Sequence, residues 1–197
     1  IGDTIVEQRI PFQRELSIVG ARNAKGECVF YPLTENLHRN GILRLSLAPV
    51  AVSDAMQRSA ENSLQKIMTA LDYVGVMALE CFDTGDQLLA NEVAPRVHNS
   101  GHWTQAGTDI CQFALHLRAL TGLPMPTPTV FGPHAMVNLI GTSFADALRH
   151  SAGHRLHWYG KEPRPGRKVG HINMEHADPA RLQREARALL ETLLALE

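Results

Sequence analysis

Alternation of apolar and polar residues predicts β-strands in the first quarter of the chain. Residues 4–10 and 15–22 alternate or carry β-branched side chains, and the turn-like stretch 23–26 separates the second run from residues 28–31. Runs of this kind, bounded by turn residues, are typical of strands joined by a hairpin. A further strand is predicted over residues 43–50.

Apolar residues three and four positions apart predict helices further along. Ser53 can cap a helix with apolar residues at Met56, Ala60, Leu64, Ile67, Met68 and Leu71. Residues 108–121 predict a second helix that ends at Gly122, and because most of its surface is apolar we expect it to be buried.

Residues 124–128 contain three prolines, which predict a stiff spacer and a domain boundary. Beyond it the pattern predicts strands over residues 136–140, 155–159 and 168–173, with a short helix over 144–150. A last helix begins with Asp178 as its cap and Pro179 in its first turn.

Glu80 lies within residues 73–82, a nearly continuous apolar run that predicts a strand buried on both faces. A turn and a second strand over residues 88–93 follow, so a hairpin is expected. A three-residue loop places Glu80 opposite Glu92, whereas a two-residue loop places it opposite Asn91. Two carboxylates roughly 5 Å apart at Cβ repel each other and invite a cation, and oxygen ligands of this kind favour Mg²⁺ held jointly with phosphate.

Other interpretations of this acidic pair remain open. One glutamate could face solvent, or Arg96 could neutralise both. Paired carboxylates also serve glycoside hydrolysis, although only 6% of the residues are aromatic and only two are tryptophan, which disfavours a sugar cleft.

Two polar segments could hold an anionic substrate. The loop after the acidic hairpin contains Arg96, His98, Asn99 and Ser100; the guanidinium fork of arginine suits bicarbonate, a carboxylate or phosphate, with histidine binding the same anion. Alternatively, the histidines only brace the loop. Residues 161–168 carry four cations with two prolines and a glycine, which suits a phosphate monoester or a plain solvated loop.

Composition excludes several classes of protein. With 197 residues, 44% of them hydrophobic, and a net charge of −1, the chain can bury a core, and the balanced charge argues against a dedicated nucleic-acid binder. No apolar run reaches the roughly 18 residues of a membrane helix. Three separated cysteines suggest reduced thiols and a cytoplasmic protein. Ten histidines show no zinc-type spacing. The chain begins at Ile1 within a strand-like stretch, so we expect a fragment.

Three blocks of sequence together resemble 5-(carboxyamino)imidazole ribonucleotide synthase, an ATP-grasp enzyme family of purine synthesis. They are FYPLTENLH at residues 30–38, NEVAPRVHNSGHWT at 91–104 and RPGRKVGH at 164–171. The resemblance implies an α+β fold in which residues 1–122 form the C-terminal lobe of an ATP-grasp domain, with an antiparallel sheet and packed helices. Residues 123–197 would form a small C-terminal α/β domain.

The resemblance also implies a ligase that uses ATP and Mg²⁺ to carboxylate aminoimidazole ribonucleotide with bicarbonate, through carboxyphosphate. It places Glu80 and Glu92 as Mg²⁺ ligands and assigns catalysis to Arg96 and His98. ATP would be bound by Glu7, Gln8, Arg9, Ile10, Glu15, His38, Asn91 and Glu92. The ribonucleotide would be bound by Asn99, Ser100, Lys161, Arg164, Arg167 and Lys168.

Family members have an N-terminal domain and a phosphate-clamping lobe for which this sequence has no counterpart. We therefore expect the chain alone to be inactive, and the resemblance favours a homodimer that acts on small molecules, without a nucleic-acid or membrane partner. Two alternatives remain: another ATP-grasp carboxylase or ligase, and a non-catalytic binding or oligomerisation module.

Overall fold

The computed structural model describes residues 5–196, which form one antiparallel sheet with helices on both faces. The strands are β1 (Arg14–Arg22), β2 (Cys28–Phe30), β3 (Thr34–Arg39), β4 (Ile42–Ala48), β5 (Gly75–Asp83), β6 (Leu88–Ala94), β7 (His134–Ile140), β8 (Arg155–Trp158) and β9 (Lys168–Glu175). The helices are α1 (Asp54–Ala70), α2 (Thr104–Gly107), α3 (Gln112–Thr121), α4 (Phe144–His150) and α5 (Pro179–Leu194). The predicted α+β class is confirmed.

Across the sheet the strands follow the order β6-β5-β1-β3-β4-β7-β9-β8, and β2 pairs with β1 outside this path. β4 pairs with β7, for example Leu45 with Val137, so the sheet continues from residues 1–122 into residues 123–197. The division between these two segments stays a prediction, and the shared sheet is the structural link between them.

Alternation along β1 directs side chains to two different cores. Leu16 and Ile18 pack beneath α1, whereas Val19 and Ala21 contribute to the core beneath α3. A third core lies between α5 and the strands β4, β7 and β9. Since β1 is covered on both faces, polar side chains on it need partners inside the protein.

Three predicted helix caps are confirmed, although α3 begins at Gln112 and not at residue 108 as predicted. The Ser53 side chain accepts a hydrogen bond from the amide of Met56 at the start of α1, and Asp178 accepts from two amides at the start of α5. Gly122 closes α3 in the left-handed conformation, with φ of 70°. The three cysteines are free thiols, as predicted. Within residues 5–196, no helix is long and apolar enough to cross a membrane.

Two expectations were wrong, and one strand was missed. Residues 5–10 form no strand. Both edges of β1 are already paired with other strands, so β1 has no free edge with which these residues could pair. Residue 4 lies outside the described residues. α3 is not buried all round: Phe113, Leu117 and Leu120 are 37%, 61% and 53% exposed, and Leu115 and Ala119 face the core. β3 was not predicted, since its sequence TENLHR is almost entirely polar.

Candidate functional site

A row of polar side chains crosses one face of the sheet, on the same side as α3. Glu92, Glu80 and Ser17 are successive cross-strand neighbours on β6, β5 and β1, and Asn36 and Ser46 are paired on β3 and β4. Ser17 and Ser46 are fully buried, and Asn36 is 6% exposed. Burying a polar group is costly unless it is hydrogen-bonded. This row, Glu92-Glu80-Ser17-Asn36-Ser46, is called the polar row below.

The predicted pairing of Glu80 with Glu92 is confirmed, but the predicted loop is not. The ladder begins with Asp83 opposite Leu88, so the loop has four residues, and Cys81 still pairs with Ala90 in that register. Between Cys81 and Glu80 the register shifts by one residue. Asn91 is the extra residue on β6, a β-bulge that brings Glu92 opposite Glu80.

Glu80 is held as an anion. His98 Nε2 lies 3.0 Å from Glu80 Oε1, and the Glu80 side chain is only 16% exposed. This hydrogen bond is the main reason that the pKa of Glu80 is lowered; burial opposes it, while the charges of His38 and Arg96 add to it. Glu92, by contrast, is exposed on its strand. The pair therefore presents one fixed and one accessible carboxylate.

The donor set suits a cation that is shared with a substrate. Within residues 5–196, no group of three or more His, Cys, Asp or Glu side chains could hold a metal ion. Two carboxylates on adjacent strands provide part of an oxygen shell, and Mg²⁺ commonly completes such a shell with water and substrate phosphates. The residues present thus fit Mg²⁺ bound together with a nucleotide.

The loop after β6 leads into a short 3-10 turn, Asn99–Gly101, and His98 is the N-cap of that turn. Gln112, at the start of α3, is fully buried and forms hydrogen bonds with this loop. Its Oε1 accepts from the His98 amide at 2.9 Å, and its Nε2 donates to the His98 carbonyl at 2.7 Å. Nε2 also lies 2.9 Å from His102 Nδ1. One glutamine therefore fixes both backbone groups of His98.

Arg96 differs from His98 in its exposure. Its guanidinium donates to the Val97 carbonyl at 3.0 Å, and the residue is exposed. His98 is 5% exposed, and both of its ring nitrogens are engaged by Glu80 and Ser100. Of the two predicted catalytic residues, Arg96 is the one whose side chain is open to an anion from solvent.

Glu15 and His38, both predicted to bind ATP, lie together on β1 and β3. His38 Nδ1 is 2.7 Å from Glu15 Oε2, and each side chain is about a quarter exposed or less. Glu7, Gln8 and Arg9 are exposed and Ile10 is half-buried, in a segment without regular structure. The structure therefore brings the first pair together, while residues 7–10 are not the strand edge that was expected.

The basic segment 161–168 divides into two parts. Arg164 and Arg167 both donate to Glu162, at 3.1 and 3.5 Å. Lys161 and Lys168 instead flank the ring of Tyr159, with Nζ 5.6 and 5.5 Å from its centre.

Lys168 also links this segment to the loop after β6, because its ammonium hydrogen-bonds Asn99 Oδ1. Burial, with a contribution from Lys161, lowers the pKa of Lys168 to about 7. Neighbouring imidazoles are uncharged for a similar reason: burial lowers the pKa of His102 to about 3 and that of His171 to about 2. Two sequence blocks 69 residues apart thus meet at one place.

Four residues of the site were missed from sequence: Ser17, Asn36, Ser46 and Gln112. Each is small or polar in an otherwise strand-like or helical stretch. The signal available in the sequence was the alternation of side chains along each strand. Ser17 and Ser46 interrupt apolar runs at positions where the alternation turns the side chain towards the core. That signal shows only that a polar group is buried, and its partner comes from a distant part of the chain.

Comparison with known proteins identifies the family of the chain. Residues 2–113 match the model of the ATP-grasp domain, and residues 134–185 match that of the phosphoribosylaminoimidazole carboxylase C-terminal domain. The chain belongs to the ATP-grasp family.

Within that family its relatives are N5-carboxyaminoimidazole ribonucleotide synthases. It is 55% identical over 193 residues to the Escherichia coli protein of that name, covering 98% of this chain and 54% of the relative. The Thermus thermophilus structure has a TM-score of 0.86 at 53% identity, covering 94% and 52% of the two chains. An Aspergillus clavatus structure, in complex with ADP and 5-aminoimidazole ribonucleotide, has a TM-score of 0.85 at 31% identity, covering 92% and 52%. The chain spans about half the length of these relatives.

Proposed function

We propose that this chain forms the Mg²⁺- and bicarbonate-binding half of an enzyme that carboxylates aminoimidazole ribonucleotide at the expense of ATP. The observation that carries the proposal is the Glu80–Glu92 pair, with Glu80 held by His98 and Arg96 exposed beside them. The names of the relatives, and the ADP and ribonucleotide in the Aspergillus clavatus structure, support the choice of reaction.

In this reaction a bicarbonate oxygen attacks the γ-phosphorus of ATP, giving carboxyphosphate and ADP. The exocyclic amine of the ribonucleotide then attacks the carboxyl carbon, loses a proton, and phosphate leaves. Bound Mg²⁺ would neutralise charge on the phosphates. Arg96 would hold bicarbonate through its two-pronged guanidinium. Water must be kept away from carboxyphosphate, and positioning of the amine makes transfer faster than hydrolysis.

The remaining residues are assigned by the same proposal. Glu80 and Glu92 bind Mg²⁺, and Asn91 lies beside the nucleotide. Glu15 and His38 hold the ribose side of ATP, where the hydrogen bond between them fixes the carboxylate. Glu7, Gln8, Arg9 and Ile10, in the segment without regular secondary structure, border the adenine.

The ribonucleotide phosphate is assigned to the basic segment. Lys161 and Lys168 flank Tyr159, and the Asn99 contact places Lys168 next to the loop that carries Arg96 and His98. Arg164 and Arg167, both hydrogen-bonded to Glu162, are exposed in the same segment.

A chimaera tests the proposal. The identity of 55% over 193 residues allows this chain to replace the matching half of the Escherichia coli protein. The chimaera should form the carboxylated ribonucleotide only when ATP, bicarbonate, aminoimidazole ribonucleotide and Mg²⁺ are all present, and this chain alone should not. A folded chimaera that lacks this activity, or one that carboxylates a different acceptor, would contradict the proposal and favour a binding module or another ligase.

We also propose that the chain forms a homodimer, supported by an exposed apolar stripe on α3 and the residue after its cap. Phe113, Leu117, Leu120 and Leu123 lie along it and are 37–61% exposed. Sedimentation should give twice the chain mass of 21.7 kDa. Leu117→Glu should return the monomer, whereas a dimer unaffected by that change would place the interface elsewhere.

A further inference from the structure

The direction of the hydrogen bonds around His98 is determined by one backbone amide. The Ser100 amide lies 3.3 Å from His98 Nδ1, and the Ser100 hydroxyl lies 2.8 Å from the same atom. A backbone amide can only donate. His98 Nδ1 must therefore accept, and the proton of the neutral ring is on Nε2.

The same direction extends along the polar row. Because Nδ1 carries no proton, the Ser100 hydroxyl donates to it and accepts from Ser17 Oγ at 2.7 Å. Ser17 Oγ in turn accepts from Asn36 Nδ2 at 2.8 Å, and Asn36 Oδ1 accepts from Ser46 Oγ at 2.8 Å. Four side chains from β1, β3, β4 and the 3-10 turn thus form a single directed chain of donors that ends on His98.

Burial makes reversal of this chain costly. Ser17, Ser46 and Ser100 are fully buried, and Asn36 and His98 are 6% and 5% exposed. A buried polar group that loses its partner costs about 1–3 kcal/mol. With the ring turned over, the Ser100 amide would face a ring carbon, and with the proton on Nδ1 it would point its N–H at another N–H. In either case this buried amide loses its acceptor.

We propose that the buried chain Ser46-Asn36-Ser17-Ser100 fixes His98 as its Nε2–H tautomer and thereby positions the Glu80 carboxylate. Nε2–H donates to Glu80 Oε1 at 3.0 Å. This contact fixes the position of Oε1 and, through the planar carboxylate, the direction of Oε2. Such outer hydrogen bonds orient metal-ligating carboxylates in many proteins. That Glu80 binds Mg²⁺ rests on the proposed function; the tautomer does not.

This assignment gives His98 a different part from the one expected of a catalytic residue. Its Nδ1 lone pair accepts from Ser100 and its Nε2 proton is donated to Glu80, so neither nitrogen is free to accept a proton from a substrate. His98 is a positioning residue that acts through Glu80. Ser100, predicted to bind substrate, acts through His98.

Nitrogen-15 NMR of the histidine rings in this chain, without nucleotide or metal, tests the proposal. The His98 signals are assigned by their loss in His98→Gln. Wild-type His98 should show an acceptor-type Nδ1 and a protonated Nε2. A wild-type ring protonated on Nδ1 would overturn the proposal.

Ser17→Ala removes the donor to Ser100 and should lower the ratio of Nε2–H to Nδ1–H tautomers by roughly five- to tenfold, the value of about one hydrogen bond. Ser17→Thr keeps a hydroxyl and should restore the ratio. Ser151→Ala, a buried serine bonded to the Leu148 carbonyl, is the matched control and should leave the His98 signals unchanged. A folded Ser17→Ala variant with the wild-type ratio would also overturn the proposal.

The two proposals fail in different experiments. An inactive chimaera with His98 still in the Nε2–H form counts against the function and not against the tautomer. An active chimaera whose His98 is protonated on Nδ1 counts against the positioning chain alone.

Discussion

Glu80 lies directly opposite Glu92 because β6 contains one more residue than β5 over the same stretch. Asn91 forms the bulge that takes up this extra residue. Without it, Glu80 would face Asn91, and Glu92 would point to the other face of the sheet. A local irregularity of the backbone thus creates the proposed metal site.

The acidic pair can be tested in the chimaera. We expect Glu80→Gln and Glu92→Gln each to lower Mg²⁺-dependent turnover by at least about 10–100-fold, the loss typical when even an outer partner of a metal ligand is removed. Initial rates at saturating ATP measure it. Asp86→Asn, an exposed carboxylate in the turn of the same hairpin, is the control; a similar loss there would mean that general charge is responsible.

Lys168 should make stability depend on pH. Its pKa in the folded chain is about 7, against a reference value of 10.5. Between these two values the unfolded state binds more protons than the folded state, so the free energy of unfolding rises as pH rises from about 7 towards 10. Below pH 7 both states are protonated, and this contribution no longer changes.

Urea denaturation between pH 6 and 10 measures this dependence. Lys168→Met should reduce the rise in the free energy of unfolding with pH by the contribution of one titrating group. Lys66→Met, on the exposed side of α1, is the control and should leave that rise unchanged. If Lys168→Met and wild type have parallel pH profiles, the amine is protonated throughout and the depressed pKa is wrong.

Gln112 should contribute far more stability than a typical glutamine. Gln112→Leu keeps the size of the side chain but leaves the amide and carbonyl of His98 buried without their partner. At about 1–3 kcal/mol for each of these two groups, we expect a loss of about 2–6 kcal/mol in the free energy of unfolding. Gln65→Leu, at an exposed position on α1, is the matched control and should change the free energy of unfolding by about 0.5 kcal/mol or less.

Gly122 should be sensitive to a side chain for conformational reasons alone. Its φ is 70°, and a Cβ placed there would meet nothing within 4 Å. Gly122→Ala should therefore cost about 1–2 kcal/mol through the left-handed backbone and not through a clash. Gly122→Asn should cost less, since asparagine tolerates this conformation; equal losses in thermal denaturation would point to packing instead.

Much of the fold follows from local rules. Ser53 and Asp178 cap helices where their sequences predict, since a cap needs only its own next few amides. α4 has the predicted bounds, and β7 and β9 appear close to theirs. Residues 5–10 show the limit of such rules: their alternation suits a strand, but a strand also needs a free edge to pair with, and sequence does not reveal which edges are taken.

The candidate site divides in the same way. The two glutamates, the arginine–histidine loop and the basic segment could be recognised from the sequence alone, because each lies in a contiguous stretch with recognisable chemistry. Three relationships are visible only in the folded chain: Asn91 bulges, Lys168 meets Asn99 across 69 residues, and Ser17, Asn36 and Ser46 direct His98 onto Glu80. These relationships depend on strand register and on the burial of polar groups, and both are properties of the assembled sheet.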